Sequence, residues 1–227
     1  MATPVAAIIL DFDGLILDTE TPIFEAWREA YRERGHVLSM DDWQHSLGTN
    51  GGFDPLARLV ALAGEGFDGE AVEREVQEAN RRACEALSLL PGVEALLIEA
   101  ERLGLRRAVA SISSRAWVEG WLTRHGIRGR VEVVCARDDV ARVKPAPDLF
   151  LLAAERLALP SAACLVFEDS PNGMRAARAA GMRCVAVPNG LTRQLRLPDP
   201  DLVVGSLAER PLGAILEELC ASPRSSS

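Results

Sequence analysis

Two pairs of carboxylates stand where short apolar runs end. Asp11-Phe12-Asp13-Gly14 follows VAAIIL (5–10), and Glu168-Asp169-Ser170 follows ACLVF (163–167). Open α/β sheets bind ligands beyond the carboxyl ends of their strands, so two such strands meeting at one crevice would bring up to four acidic groups together. Like charges ~4 Å apart repel by ~1 kcal/mol in water and ~4 kcal/mol at an effective dielectric of 20. Such a cluster must keep protons or hold a cation. Oxygen ligands with no His or Cys beside them point to Mg²⁺, which keeps waters and takes a substrate phosphate into its shell. Both pairs also have a plainer reading, since Asp and Gly favour turns and Ser170 before Pro171 suits a helix cap.

Two more polar positions share this placement. Ser111 closes the apolar run RAVAS (107–111) ahead of a helix start, where a hydroxyl commonly serves as a cap. Lys144 opens KPAPD, a rigid turn before another helix. It is the single Lys among 25 basic residues. Either it is a solvated loop charge, or this position needs a compact ammonium where every other accepts a guanidinium.

The elements that must position these groups alternate. Apolar runs at 5–10, 107–111, 131–135, 163–167 and 184–187 read as buried strands. Between them lie helical patterns at about 93–103, 116–125, 147–157 and 172–180, several ending at Gly. That order predicts βαβ units, a parallel sheet and right-handed crossovers. The stretch 21–89 departs from it. It carries helical stripes with Pro22 in a first turn, Ser39 and Asp54 as caps, and no strand pattern. The expected architecture is therefore a Rossmann-like α/β core (1–17 and 91–227), with an all-α helical cap inserted at 18–90 and a disordered tail at 221–227. Gly64-Glu-Gly66-Phe-Asp-Gly69 matches the dinucleotide pattern G-x-G-x-x-G. It follows a helix, however, and carries two acids, so it reads as a turn.

Composition narrows the partners. The chain has 227 residues, 48% hydrophobic and 26% charged, with a formal net charge of −8. A chain of this size and apolar content folds without staples, and its negative field repels nucleic acid and anionic membranes. The five cysteines show no C-x-x-C pattern, which fits a reducing cytoplasm. The N-terminal apolar run is too short for a membrane span or signal core. A cytoplasmic monomer acting on a small molecule is expected.

Taken in order, DFDGLILDTE, VASISS, KPAPD and FEDSPNG resemble the four motifs of the haloacid dehalogenase superfamily, in its phosphatase and β-phosphoglucomutase-like branch. The resemblance spans about residues 7–187. It implies that Asp11 is a nucleophile and Asp13 a general acid/base, and that Ser111, the Ile112 amide and Lys144 hold the phosphoryl oxygens. Mg²⁺ would rest on Asp11, the Asp13 carbonyl and Asp169, with Glu168 nearby or acting through water. The product would come from Mg²⁺-dependent hydrolysis of a small phosphorylated metabolite, a sugar phosphate or similar compound, through an aspartyl-phosphate. Asp13 sets the chain apart from the dehalogenases, which lack the second Asp. The 21–89 insertion has no Lys for phosphonatase chemistry. Ile23 stands where β-phosphoglucomutases carry a cap His, and Gly48-Thr49-Asn50-Gly51-Gly52 stands where they carry a basic residue for the second phosphate. Water is then the expected acceptor. A phosphomutase and a catalytically silent binding protein are the alternatives. Thr19, Thr49, Asn50, Arg81 and Arg82 are candidates for reading the leaving group, although the two arginines also suit a solvated helix face.

Overall fold

The computed structural model describes residues 4–49, 52–64 and 66–221. Six parallel strands form one sheet in the order β3-β2-β1-β4-β5-β6. They are β1 (Ala7–Leu10), β2 (Arg106–Ala110), β3 (Val133–Cys135), β4 (Cys164–Glu168), β5 (Arg183–Ala186) and β6 (Leu202–Val203). Every residue of β1 is buried, as a continuously apolar central strand must be. Ile8 and Leu10 face a core shared with Leu96, Leu97 and Ile215, while Ala7 and Ile9 face another built on Phe150, Ala153 and Met174. Successive side chains along a strand point to opposite faces, so four residues reach both helical layers.

Helices α5 (Val93–Arg102), α6 (Arg115–Arg124), α7 (Asp148–Arg156), α8 (Pro171–Ala179) and α9 (Leu212–Ala221) flank this sheet. From β1 the chain runs outward through β2 and β3 on one side, and β4, β5 and β6 extend the other. Strand order therefore reverses beside β1, and the crevice at such a switch point receives the loops that follow β1 and β4.

Between β1 and α5 come four helices: α1 (Glu20–Glu33), α2 (Met40–Trp43), α3 (Pro55–Ala63) and α4 (Gly69–Glu85). Ser39, Asp54 and Asp68 cap α2, α3 and α4 by accepting backbone N–H bonds. Phe24, Trp27, Tyr31, Leu59, Val72 and Val76 give these helices an apolar cluster of their own. The glycine-rich decoy falls in the connection between α3 and α4, with Gly64 closing α3. Helix α2 ends at Trp43, short of the Met40–Leu47 helix that the sequence suggests after Ser39. Strand β6 and helix α9 carry no expectation from the sequence. Ala221 closes α9 rather than opening a tail, and 222–227 lie outside the described residues. No described helix is long and apolar enough to cross a membrane.

Candidate active site

Asp11 directly follows β1, and its N–H donates to the Phe167 carbonyl of β4 at 3.0 Å. Register therefore sets it beside the end of the neighbouring strand, where Glu168 and Asp169 emerge. The three carboxylates offer oxygens that all lie within 4.8 Å of one another, and all three residues are buried. Lys144, 1% exposed, reaches them from the turn before α7. Its Nζ donates to Asp11 Oδ1 and, at 2.7 Å, to Glu168 Oε1. The Phe150 ring lies 4.9 Å from the same ammonium. The only Lys of the chain is thus a buried ion bridging two strand ends, not a solvated loop charge.

Three carboxylates against one ammonium leave two net negative charges when all are ionised. Burial pushes Asp11 up to about 8, with Glu168 and Asp13 adding to the rise and Lys144 opposing it. Asp169 is likewise raised well above the ordinary carboxylate range, by burial and by the charges of Glu168 and Asp11. Burial pulls the Lys144 ammonium down, but Asp11 and Glu168 outweigh it and hold the group above its ordinary value. The crevice has the charge and the hard oxygen donors that suit Mg²⁺. Glu168 is already committed: Oε1 holds Lys144, and Oε2 accepts from the Ser170 N–H at 2.8 Å and the Ser170 hydroxyl at 3.0 Å. Asn189 donates to Asp169 Oδ2 at 2.8 Å. Backbone packing is close here too. A Cβ on Gly173 would fall 1.6 Å from Glu168 Oε1, and one on Gly14 would fall 2.5 Å from Asp169 Oδ2.

Asp13 is not part of this three-carboxylate group and accepts four bonds. Ser111 and Ser113 donate to Oδ2 at 3.0 and 2.7 Å, and Thr19 and the Trp117 indole donate to Oδ1 at 2.7 and 3.1 Å. Ser111 is fully buried and links β2 to the motif after β1. A cleft of about 520 Å³ opens above, between Asp13, Ile112 and Ser113 on the core side and Glu20, Ile23 and Thr49 on the helical side. Glu20 is pushed up to about 8, by burial first and then by the charges of Asp13 and Asp11.

The expected residues divide accordingly. Asp11, Lys144, Glu168 and Asp169 share one cluster, while Asp13, Ser111, Ile112, Thr19 and Thr49 border the adjoining cleft. Thr19, expected to read substrate, gives its hydroxyl to Asp13. Arg81 does not reach the cleft: its guanidinium is held by Glu78 and Glu85, and Arg82 pairs with Glu78. Asn50 lies outside the described residues. Sequence reasoning missed Glu20, Ser113, Trp117 and Asn189. Ser113 follows β2 and Asn189 follows β5, so strand-end position was a signal for both. Glu20 opens α1 and was signalled only by lying inside the first motif, and Trp117 had no signal.

Comparison with known proteins gives the family. A family model for haloacid dehalogenase-like hydrolases matches residues 5–181. The chain is 43% identical over 215 residues to "Putative phosphatase YhcW" of Bacillus subtilis, covering 95% of this chain and 98% of that one. It is 39% identical over 190 residues to fructose-1-phosphate phosphatase YqaB of Escherichia coli, covering 80% and 96%. Among solved structures, CbbY from Rhodobacter sphaeroides in complex with phosphate superposes with a TM-score of 0.71 at 31% identity, covering 90% of this chain and 96% of that one. On its fold, its site and these matches, the chain belongs to the haloacid dehalogenase-like hydrolases.

Proposed function

We propose that this protein is a Mg²⁺-dependent phosphatase that releases phosphate from a small phosphorylated metabolite through an aspartyl-phosphate on Asp11. One observation carries the reading: a buried Lys144 bridges Asp11 and Glu168 within a cluster that includes Asp169. The ammonium occupies Oδ1 of Asp11, so Oδ2 attacks phosphorus in line as the bond to the leaving oxygen breaks. Asp13 enters the step protonated, its own O–H replacing one of its four donors, and gives that proton to the leaving oxygen. A water then attacks the aspartyl-phosphate, Asp13 takes its proton, and Asp11 is restored. Splitting a very slow hydrolysis into two displacements lowers the barrier to each. Lys144 and the Ile112 amide hold the phosphoryl oxygens, joined by the Ser111 hydroxyl once it turns from Asp13, where charge spreads in the transition state. Asp11, Asp169 and the Asp13 carbonyl, backed by Glu168, would hold Mg²⁺, which supplies charge neutralisation and orients the phosphoryl group.

Ile23 lines the cleft and offers no proton carrier to a second sugar, which favours water as acceptor. A relative named for fructose-1-phosphate and a CbbY structure with xylulose-(1,5)bisphosphate make sugar phosphates the class to try first. The test is phosphate release over a panel of sugar phosphates, phosphoglycolate and nucleotides, with Mg²⁺ or with EDTA. The wild type turns over at least one member only with the metal, and Asp11→Asn loses at least ~10³-fold. Retained turnover in that variant refutes the nucleophile. A requirement for a sugar bisphosphate activator would instead mark a mutase, and silence across the panel a binding protein.

A further inference from the structure

We propose that Arg137 reads a second oxyanion on the substrate, a carboxylate or another phosphate, distal to the phosphoryl group that Asp11 takes. The proposal rests on the phosphatase reading and narrows its substrate class. Arg137 opens the short turn Arg137–Asp139 after β3, is exposed, and lines the same cleft as Asp13. Its N–H donates to the Ser113 carbonyl at 3.0 Å, and Ser113 in turn holds Asp13. The guanidinium therefore springs from backbone tied to the catalytic loop.

The turn is braced so as to leave that guanidinium unclaimed. Asp138 accepts from the Arg115 N–H at 2.6 Å. Asp139 accepts from the Ala136 N–H and pairs with both Arg115 and Arg156. Each neighbouring carboxylate is thus committed elsewhere, and Arg137 has no side-chain partner among the described residues. The other charged groups on the described cleft lining, Asp13 and Glu20, are acidic. An anionic substrate entering this cleft meets one cation on its lining, and that cation stands apart from the Lys144 cluster. A planar guanidinium offers paired N–H donors that match a carboxylate or phosphate edge-on. The helical side, which contributes Glu20, Ile23 and Thr49, gives the described lining no cation of its own.

The test uses matched monoesters that differ by one distal group: 2-hydroxyethyl phosphate against phosphoglycolate, glycerol 3-phosphate against 3-phosphoglycerate, and fructose 1-phosphate against fructose 1,6-bisphosphate. For the wild type, Arg137→Ala and Arg137→Lys, kcat and KM are measured with Mg²⁺. The wild type should favour the oxyanion member of at least one pair by tenfold or more in kcat/KM. Arg137→Ala should lose that preference through KM, and Arg137→Lys should restore part of it. Whether the carboxylate or the phosphate pairs respond identifies the oxyanion. A wild type that favours the hydroxyl members or discriminates in no pair overturns the proposal, as does an Arg137→Ala that weakens both members of each pair equally. A wild type that releases no phosphate from any member, or from p-nitrophenyl phosphate, overturns the phosphatase reading and this inference with it.

Discussion

Glu20 sits at the first position of α1, within reach of the fields of Asp13 and Asp11, and its carboxyl is raised to about 8. A carboxyl whose folded value lies above its ordinary 4.5 takes up a proton on folding between those limits. Its contribution to stability therefore falls as pH rises through that window. Asp11 acts in the same direction. In EDTA the protein should lose melting temperature between pH 5 and pH 8, and Glu20→Gln should flatten the decline, because the amide does not ionise. The two proteins should melt together near pH 5, with the variant the more stable at pH 8. A gap that fails to open with pH would contradict the assignment of Glu20's surroundings. Chemistry at this scale was partly visible in the sequence: Asp11, Asp13, Lys144 and Asp169 stand in motifs that each have a plainer reading alone and become informative taken in order. Trp117 was not, because an indole that holds Asp13 across more than a hundred residues of chain leaves no local pattern.

At the scale of elements, β1 and β4 bring the cluster together and α8 locks it. Ser170 caps α8 through the Gly173 N–H at 3.1 Å while donating to Glu168, so one residue ends the loop, starts the helix and orients the carboxylate that holds Lys144. Gly173 permits this by having no side chain. Gly173→Ala would drive a methyl into the Glu168 carboxylate, and a displacement of that kind in a packed interior costs about 1–3 kcal/mol. That outweighs the gain of up to ~1 kcal/mol from Ala's helix propensity. Urea denaturation should show the net loss, and turnover should fall with it as Lys144 loses an anchor. The strands and helices flanking this junction were legible because their apolar runs are bounded by Gly, Pro and cap residues. Strand β6 was not, since two residues carry no period. The α9 pattern lay beyond the motifs and was read as part of the core without an element of its own. Arg81 shows the opposite failure: residue type suggested substrate contact, whereas i,i+3 and i,i+4 carboxylates on α4 satisfy it.

Across the whole molecule, the helical insertion and the sheet meet over the crevice. Asn172 at the start of α8 donates to the Leu47 carbonyl at 2.8 Å, and Gly48 packs against Ser170, so the loop after α2 rests on the motif that carries Glu168 and Asp169. A cation bound beneath that junction should stabilise the entire fold, by about 2.7 kcal/mol at a hundred times its dissociation constant. Mg²⁺ should therefore raise the melting temperature by roughly 5–10 °C, and Asp169→Asn should lose most of that increment; an equal shift in both proteins would place the ion elsewhere. The central claim is that Asp11 itself carries the phosphoryl group. It is tested most directly by quenching turnover with borohydride, which reduces an acyl phosphate to an alcohol, and sequencing the peptide around β1 by mass spectrometry. The account predicts homoserine at position 11 when substrate and Mg²⁺ are both present. Phosphate release with an unmodified Asp11, or with the reduced residue at another position, would contradict it.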